Sequence, residues 1–321
     1  MRDMNKIIVI LGQTSTGKSD FAVQIAREIK GLNQSNRLIA RTSQGEVLGE
    51  IISADSRQVY KGMNLGTGKI TKKEMKGVPH YLLDIVSPNK IFSVVDFQKK
   101  SNREIKKIIK NKKVPIICGG TGFYIDSIIN GNTFPKVKTD KRLREELSKK
   151  SVAELFEILK KLDKDRAENI DKNNKVRLIR AIEIAKSIGG VPKINKGENN
   201  FEVIKIGLKM PDEILKEKIK NRLIDRIKKG MIKEVLNLHK KEKISWRRLE
   251  ALGLEYRYTS YFLQGKMSKD EMIEKLFTEI WHFAKRQWTW FKRDKDIIWI
   301  NPLELHEQAL ALKKIKDFLR N

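Results

Sequence analysis

Cysteine is almost missing from this 321-residue chain: Cys118 stands alone, which rules out an internal disulfide framework. Histidine is nearly as scarce, and its four residues are scattered without zinc-ligand spacing. Long apolar runs are missing too. Ile7 to Leu11, the longest unbroken aliphatic run near the start, is far too short to span a bilayer, and Met1 to Lys6 lacks the apolar core of a signal peptide. These shortages exclude a disulfide-stapled miniature and a helical membrane protein, and they predict a soluble chain in a reducing cytoplasm with no membrane partner. Acidic residues are also in deficit, 40 against 68 Lys and Arg, so the net charge is +28 and the isoelectric point is near 10.0. An excess of that size attracts polyanions and releases their counterions on binding, which puts nucleic acid first among partners. A lysine-rich solvated surface would give the same total, so composition leaves both readings open.

Hydrophobic residues make up 40% of the chain, enough for a sizeable core. From Lys6 to Leu11 a β-branched run meets Gly12-Gln13-Thr14-Ser15-Thr16-Gly17-Lys18-Ser19, after which Phe21, Ala22, Ile25, Ala26 and Ile29 recur at helical spacing. That is strand, glycine loop, helix. Further strands are predicted at Glu50–Ala54, His80–Ile85 and Val114–Cys118, with a helix over Val94–Lys110 between them. The alternation implies right-handed βαβ crossovers and a parallel sheet. After Gly131, Leu143, Leu147, Val152, Leu155, Leu159, Val176, Ile179 and Ile182 mark helices without a strand. The chain therefore reads as α/β: a parallel sheet flanked by helices over 1–131 and 198–321, with an all-helical insertion at 132–197. Phe201 to Leu208 returns as a strand, helices fill 212–287, Ile297–Ile300 makes a last strand, and a final helix starts at Leu303. The stretch 31–49, rich in Asn, Gln, Ser, Arg and Gly, fits no element and reads as a loop or a small β excursion.

Gly12 to Ser19 matches G-x-x-x-x-G-K-[ST] in its expected setting. Backbone N–H groups of such a loop converge with a helix N-terminus on an anion, so Gly12, Gln13, Thr14, Ser15, Thr16, Gly17, Lys18 and Ser19 form a candidate phosphate, diphosphate or nucleotide site. Lys18 would act as a point charge and the Ser19 hydroxyl as a Mg²⁺ ligand. Asp55 follows the second strand, where doubly wound sheets bind ligands. There it could hold a metal-bound water or accept a proton, and it could equally cap a turn. Gly119-Gly120-Thr121-Gly122 sits at the next strand end, where paired glycines let a ligand or another backbone approach. A GTPase would need Asn-Lys-x-Asp, and both Asn89-Lys90-Ile91-Phe92 and Asn195-Lys196-Gly197-Glu198 lack the final Asp. A small-molecule kinase stays open, with Asp55 as its base.

Taken in order, these motifs resemble the tRNA dimethylallyltransferase family, also called tRNA isopentenyltransferases. The likeness rests on the loop above, Ile52-Ser53-Ala54-Asp55-Ser56-Arg57-Gln58-Val59-Tyr60, Gly66-Thr67-Gly68-Lys69, Pro79-His80-Tyr81-Leu82-Leu83-Asp84, Gly119 to Tyr124, Arg177-Leu178-Ile179-Arg180-Ala181-Ile182-Glu183, Ile219-Lys220-Asn221-Arg222, and Ala284-Lys285-Arg286-Gln287-Trp288-Thr289-Trp290. The resemblance implies a P-loop NTPase-like fold and transfer of a dimethylallyl group from dimethylallyl diphosphate to N6 of adenosine 37, beside the anticodon, in tRNAs reading codons that begin with U. It also implies Mg²⁺, a tRNA anticodon loop as partner, and a monomer. By the same resemblance Asp55 accepts a proton from N6, Thr121 orients that region and Arg222 lies by the diphosphate. Asp55, Ser56, Arg57, Gln58, Thr121, Arg144, Val176, Arg177, Leu178, Ile179 and Arg180 are carried over as tRNA-contacting positions. Val176, Leu178 and Ile179 could instead be helix core. Trp281, Trp288 and Trp290 read as packing more readily than as base stacking. Where most relatives carry Gly-Tyr then Lys or Arg, this chain has Gly253-Leu254-Glu255-Tyr256-Arg257. Glu255 thus reverses a charge in a segment expected to face tRNA, with Arg257 as its substitute. Prenylation of free adenylate, a kinase and a non-catalytic RNA-binding protein are the alternatives.

Overall fold

A computed structural model describes residues 5–29, 48–193, 197 and 201–320. Six strands form one sheet in the order β3-β2-β4-β1-β5-β6, and every neighbouring pair is parallel. They are β1 (Asn5–Gly12), β2 (Gly49–Ser53), β3 (His80–Tyr81), β4 (Val114–Gly119), β5 (Phe201–Leu208) and β6 (Ile297–Ile300). The helices in chain order are α1 (Lys18–Glu28), α2 (Lys72–Met75), α3 (Val94–Lys110), α4 (Gly122–Ile129), α5 (Lys141–Ser148), α6 (Val152–Leu162), α7 (Lys164–Glu168), α8 (Lys175–Ile188), α9 (Asp212–Lys228), α10 (Met231–Lys240), α11 (Trp246–Ala251), α12 (Leu254–Leu263), α13 (Lys269–Phe291) and α14 (Leu305–Arg320).

Strand β1 shows why the sheet is covered on both faces. Ile8 and Ile10 join one core with Phe21, Ile25 and Ala311, whereas Ile7, Val9 and Leu11 join another with Phe97, Ile105 and Ile125. A strand apolar on both sides belongs at the centre of a parallel sheet, and each such Ile contributes about 1.5–3 kcal/mol by leaving water. Helix starts follow local chemistry. Ser93 and Asp96 close a capping box on α3, as Ser268 and Glu271 do on α13. The third strand is shorter than the sequence suggests, because Leu82 and Asp84 adopt left-handed φ of 63° and 53°, which no extended strand accommodates.

The chain divides into two compact units, Met1–Ile129 with Asn199–Asn321, and Asn130–Glu198. The first carries the sheet. The second is built on α5 to α8 around Leu147, Leu155, Leu159, Leu178 and Ile182. Most of the 31–49 stretch and of Asn195 to Glu198 lies outside the described residues. Among the described residues no helix is long and apolar enough to cross a membrane.

Candidate active site

The carboxyl ends of β1, β2 and β4 open into a cavity of about 600 Å³, walled on one side by the loop before α1 and on the other by α9. Its lining includes Thr14, Ser15, Gly17, Lys18, Ser19, Asp55, Gln58, Gly119, Gly120, Arg222, Arg226 and Gln287. The loop turns through left-handed backbone at Ser15 (φ 63°) and Gly17 (φ 85°). The N–H groups of Ser15 to Ser19 take no hydrogen-bond partner among the described residues, so they form a cradle of free donors at a helix N-terminus. Lys18 curls back so that its Nζ donates to the Gln13 carbonyl. Burial pushes its ammonium down to about 8, the Arg222 charge pushes the same way, and the nearby Cys118 and Asp55 oppose the shift.

Asp55 uses Oδ1 to accept from the N–H groups of Arg57 (2.7 Å) and Gln58 (3.3 Å). Oδ2 has no partner among the described residues. The residue therefore caps its turn and still offers an oxygen. Thr121 ties the neighbouring strand end to it: its N–H donates to Ala54 O at 3.2 Å and its Oγ1 accepts from Ser56 N at 3.2 Å. Gln58 points inward, accepting from Ser53 Oγ (3.2 Å) and donating to the carbonyls of Thr67 (3.4 Å) and Gly68 (3.3 Å).

The glycines at the end of β4 and just beyond it serve close packing. A Cβ on Gly119 would lie 2.2 Å from the Ala54 carbonyl oxygen, and one on Gly120 would lie 2.2 Å from Gln287 Nε2. Opposite, Arg222 Nη2 donates to Gly68 O at 3.3 Å, and Arg226 Nη1 lies 3.3 Å from Glu255 Oε1. Arg222 is open to solvent through the cavity. Close-packed surroundings and the like charge of Arg226 lower its pKa to about 10, so it stays a cation at neutral pH. The wall that presents Gly68 is itself held by Glu234, whose carboxylate accepts from the N–H groups of Asn64 (3.0 Å), Leu65 (2.7 Å) and Gly66 (3.1 Å) and from Tyr256 OH (2.7 Å). Lys69 fastens the same loop through Tyr60 O (2.8 Å) and Asp84 (2.5 Å).

The remaining sequence-derived positions fall elsewhere. Gly12 and Gln13 are buried behind the cradle, Thr16 is buried within it, and Gln13 Nε2 donates to Ala284 O at 3.2 Å. Ser56 and Arg57 flank Asp55 on the turn. Arg257 is exposed on α12, with Nε on the Glu250 carbonyl at 2.9 Å. Glu255 does not face outward as the charge reversal suggested: its side chain is only 19% exposed and it pairs with Arg226. Burial raises its pKa and Arg226 works against that.

In the second unit, Glu183 (2% exposed) accepts from Arg144 Nε (2.9 Å) and Nη2 (2.7 Å), from Arg180 Nη1 and from Asp140 N (2.8 Å). Arg144 and Arg180 are thus held in a triad. Leu178, expected among the contact positions, is fully buried in the helical core and has no surface to offer, and Ile179 packs against that core. Val176 is 77% exposed and Arg177 is exposed beside it. The tryptophans pack as anticipated: Trp290 Nε1 donates to Asp126 at 3.0 Å, and Trp288 meets Trp299 edge-on at 4.9 Å.

Fold and site together define a class: a parallel α/β protein with a cavity beyond the strand ends, between a glycine-rich loop and an arginine-bearing helix. The chain belongs to the IPP transferase family, whose model matches residues 58–294. It is 42% identical to tRNA dimethylallyltransferase 2 of Treponema denticola, over 94% of this chain and 96% of that protein. It resembles the crystal structure of a full-length tRNA isopentenylpyrophosphate transferase from Bacillus halodurans, with a TM-score of 0.68 and 30% identity over 98% of this chain and 95% of that one. The same fold recurs in a eukaryotic dimethylallyltransferase acting on tRNA, with a TM-score of 0.74 and 23% identity over 98% of this chain and 79% of that one.

Proposed function

We propose that this protein transfers the dimethylallyl group of dimethylallyl diphosphate to N6 of an adenosine in tRNA, adenosine 37 beside the anticodon in tRNAs reading codons that begin with U, and releases diphosphate. The observation that carries the reading is one cavity in which a cradle of free N–H groups, Lys18 and Arg222 face the Asp55 carboxyl. Relatives bearing the enzyme's name over nearly the full chain support it.

The adenine amino group is a poor nucleophile because its lone pair is delocalised into the ring. The Asp55 oxygen left without a partner accepts the N6 proton as the C–N bond forms and the allylic C–O bond breaks. Lys18, Arg222 and the loop N–H groups hold the charge that grows on the departing diphosphate. Thr121, joined to the Asp55 turn through Ser56, orients the acceptor side.

Magnesium fits the donors present. The Ser19 hydroxyl offers a hard oxygen in the same cavity as the anion cradle, which suits an ion held jointly by Ser19 and the oxygens of a bound diphosphate. Such an ion supplies charge neutralisation at the leaving group. For the tRNA itself, the exposed Val176 and Arg177, the outer faces of Arg144 and Arg180, and Arg257 are the contacts assigned to phosphates and loop bases.

The test is mass spectrometry of nucleosides from unmodified tRNA incubated with protein, Mg²⁺ and dimethylallyl diphosphate, with AMP and ATP as competing acceptors. N6-dimethylallyladenosine in tRNA alone is the expected product. Prenylated AMP would move the protein to the free-nucleotide branch, and no product with either acceptor would overturn the transfer reading.

A further inference from the structure

One buried side chain outside the catalytic set touches both halves of the site. Gln287, on α13 and only 7% exposed, accepts from the Thr14 N–H through Oε1 at 2.8 Å and donates from Nε2 to the Gly120 carbonyl at 2.8 Å. Thr14 immediately precedes the anion cradle, and Gly120 precedes Thr121, which is bonded to the turn that carries Asp55. A second bond joins the same helix to the same loop, from Gln13 Nε2 to Ala284 O. The absence of a Cβ at Gly120 makes the approach possible.

Turning the Thr14 N–H toward α13 fixes the peptide just ahead of the left-handed Ser15, the residue that begins the cradle. Resting on the diphosphate reading above, we propose that Gln287 is a positioning residue that sets the separation between the leaving group held by the loop and the base-bearing acceptor side. Transfer between two bound partners depends steeply on that separation, and a displacement of about 1 Å can cost on the order of 10²-fold. Loss of the bridge is therefore felt in kcat.

Two variants test this. Gln287→Leu keeps the volume and removes both bonds: kcat is expected to fall about 10–100-fold, while the affinities for inorganic diphosphate and for tRNA stay within about three-fold. Gln287→Glu is the sharper probe. Its protonated carboxyl can bridge both groups as the amide does, whereas its ionised form repels the Gly120 carbonyl, so its kcat relative to wild type is expected to climb as pH falls. A merely structural role would lower melting temperature or active-site count without that pH signature. Unchanged kcat per active site in Gln287→Leu, or a flat relative profile in Gln287→Glu, overturns the proposal alone. Wild-type protein that neither binds diphosphate nor prenylates tRNA would overturn the underlying reading with it.

Discussion

Asp55 carries two loads at one side chain, and the choice of substitution separates them. Alanine would remove both the turn cap and the carboxylate, whereas Asp55→Asn keeps an oxygen for the Arg57 and Gln58 N–H groups and removes the base. Asp55→Asn is expected to lower kcat by about 10²–10⁴-fold with tRNA affinity within a few-fold, read by single-turnover prenylation and filter binding. Retained turnover would remove the base assignment. Lys18 makes a second residue-scale prediction. Its ammonium is held down to about 8 in the free protein, chiefly by burial. A bound diphosphate stabilises the charged form and raises that pKa. Below pH 8 the proton is already present; above it, binding must take a proton up. Calorimetry in buffers of different ionisation heat should show extra proton uptake near pH 9 in wild type compared with Lys18→Met, and little difference near pH 7. Equal uptake in both proteins would refute it.

Among the elements, α8 shows how one charge organises a surface. Glu183 is buried, yet the hydrogen bonds from Arg144, Arg180 and Asp140 outweigh the burial that would raise its carboxyl, so its pKa stays below the usual glutamate value. Removing it strands two guanidinium groups and a backbone N–H. Both arginines are about a third exposed, which lets water recover part of the loss, so Glu183→Ala is expected to cost about 1–3 kcal/mol rather than the figure for a dry pair. Urea denaturation would measure it, and a change below the error of the method would mean the triad is ornamental. The helix also explains why its motif mixes two purposes. A 3.6-residue period sends Leu178 and Ile182 inward while Val176 and Arg177 stay outside.

Over the whole molecule the +28 charge governs association with a polyanion. The logarithm of tRNA affinity should fall linearly with the logarithm of salt, and each phosphate contact removed should flatten the slope by about 0.7–0.9. Arg177→Ala and Arg257→Glu are each expected to weaken tRNA binding and to shallow the slope, as measured by fluorescence anisotropy from 50 to 300 mM salt (~Debye lengths of 14 to 6 Å). Unchanged affinity in Arg257→Glu would leave that residue as a support for the Glu250 carbonyl only.

Strand, loop and helix at Asn5–Glu28 were readable from the sequence because hydrophobic period and glycine spacing are local properties, and so was α3, whose limits at Val94 and Lys110 agree with the expectation. The parallel sheet followed from the alternation of strands and helices. Neighbours distant along the chain were not readable. Gln287 lies 273 residues from Thr14, and nothing in its own segment says that its amide bridges two strand ends. Glu255 read as a misplaced surface charge because its partner, Arg226, is 29 residues away on another helix. Gly119, which ends β4, and Gly120 and Gly122 beyond it could have admitted a ligand or a neighbour, and only the folded chain shows the Ala54 backbone and the Gln287 side chain against the first two. Periodicity and motif chemistry act within a few residues and so are written in the sequence. Burial and charge pairing depend on which distant segments meet, and that is decided only when the sheet assembles and brings α9 and α13 to its carboxyl edge.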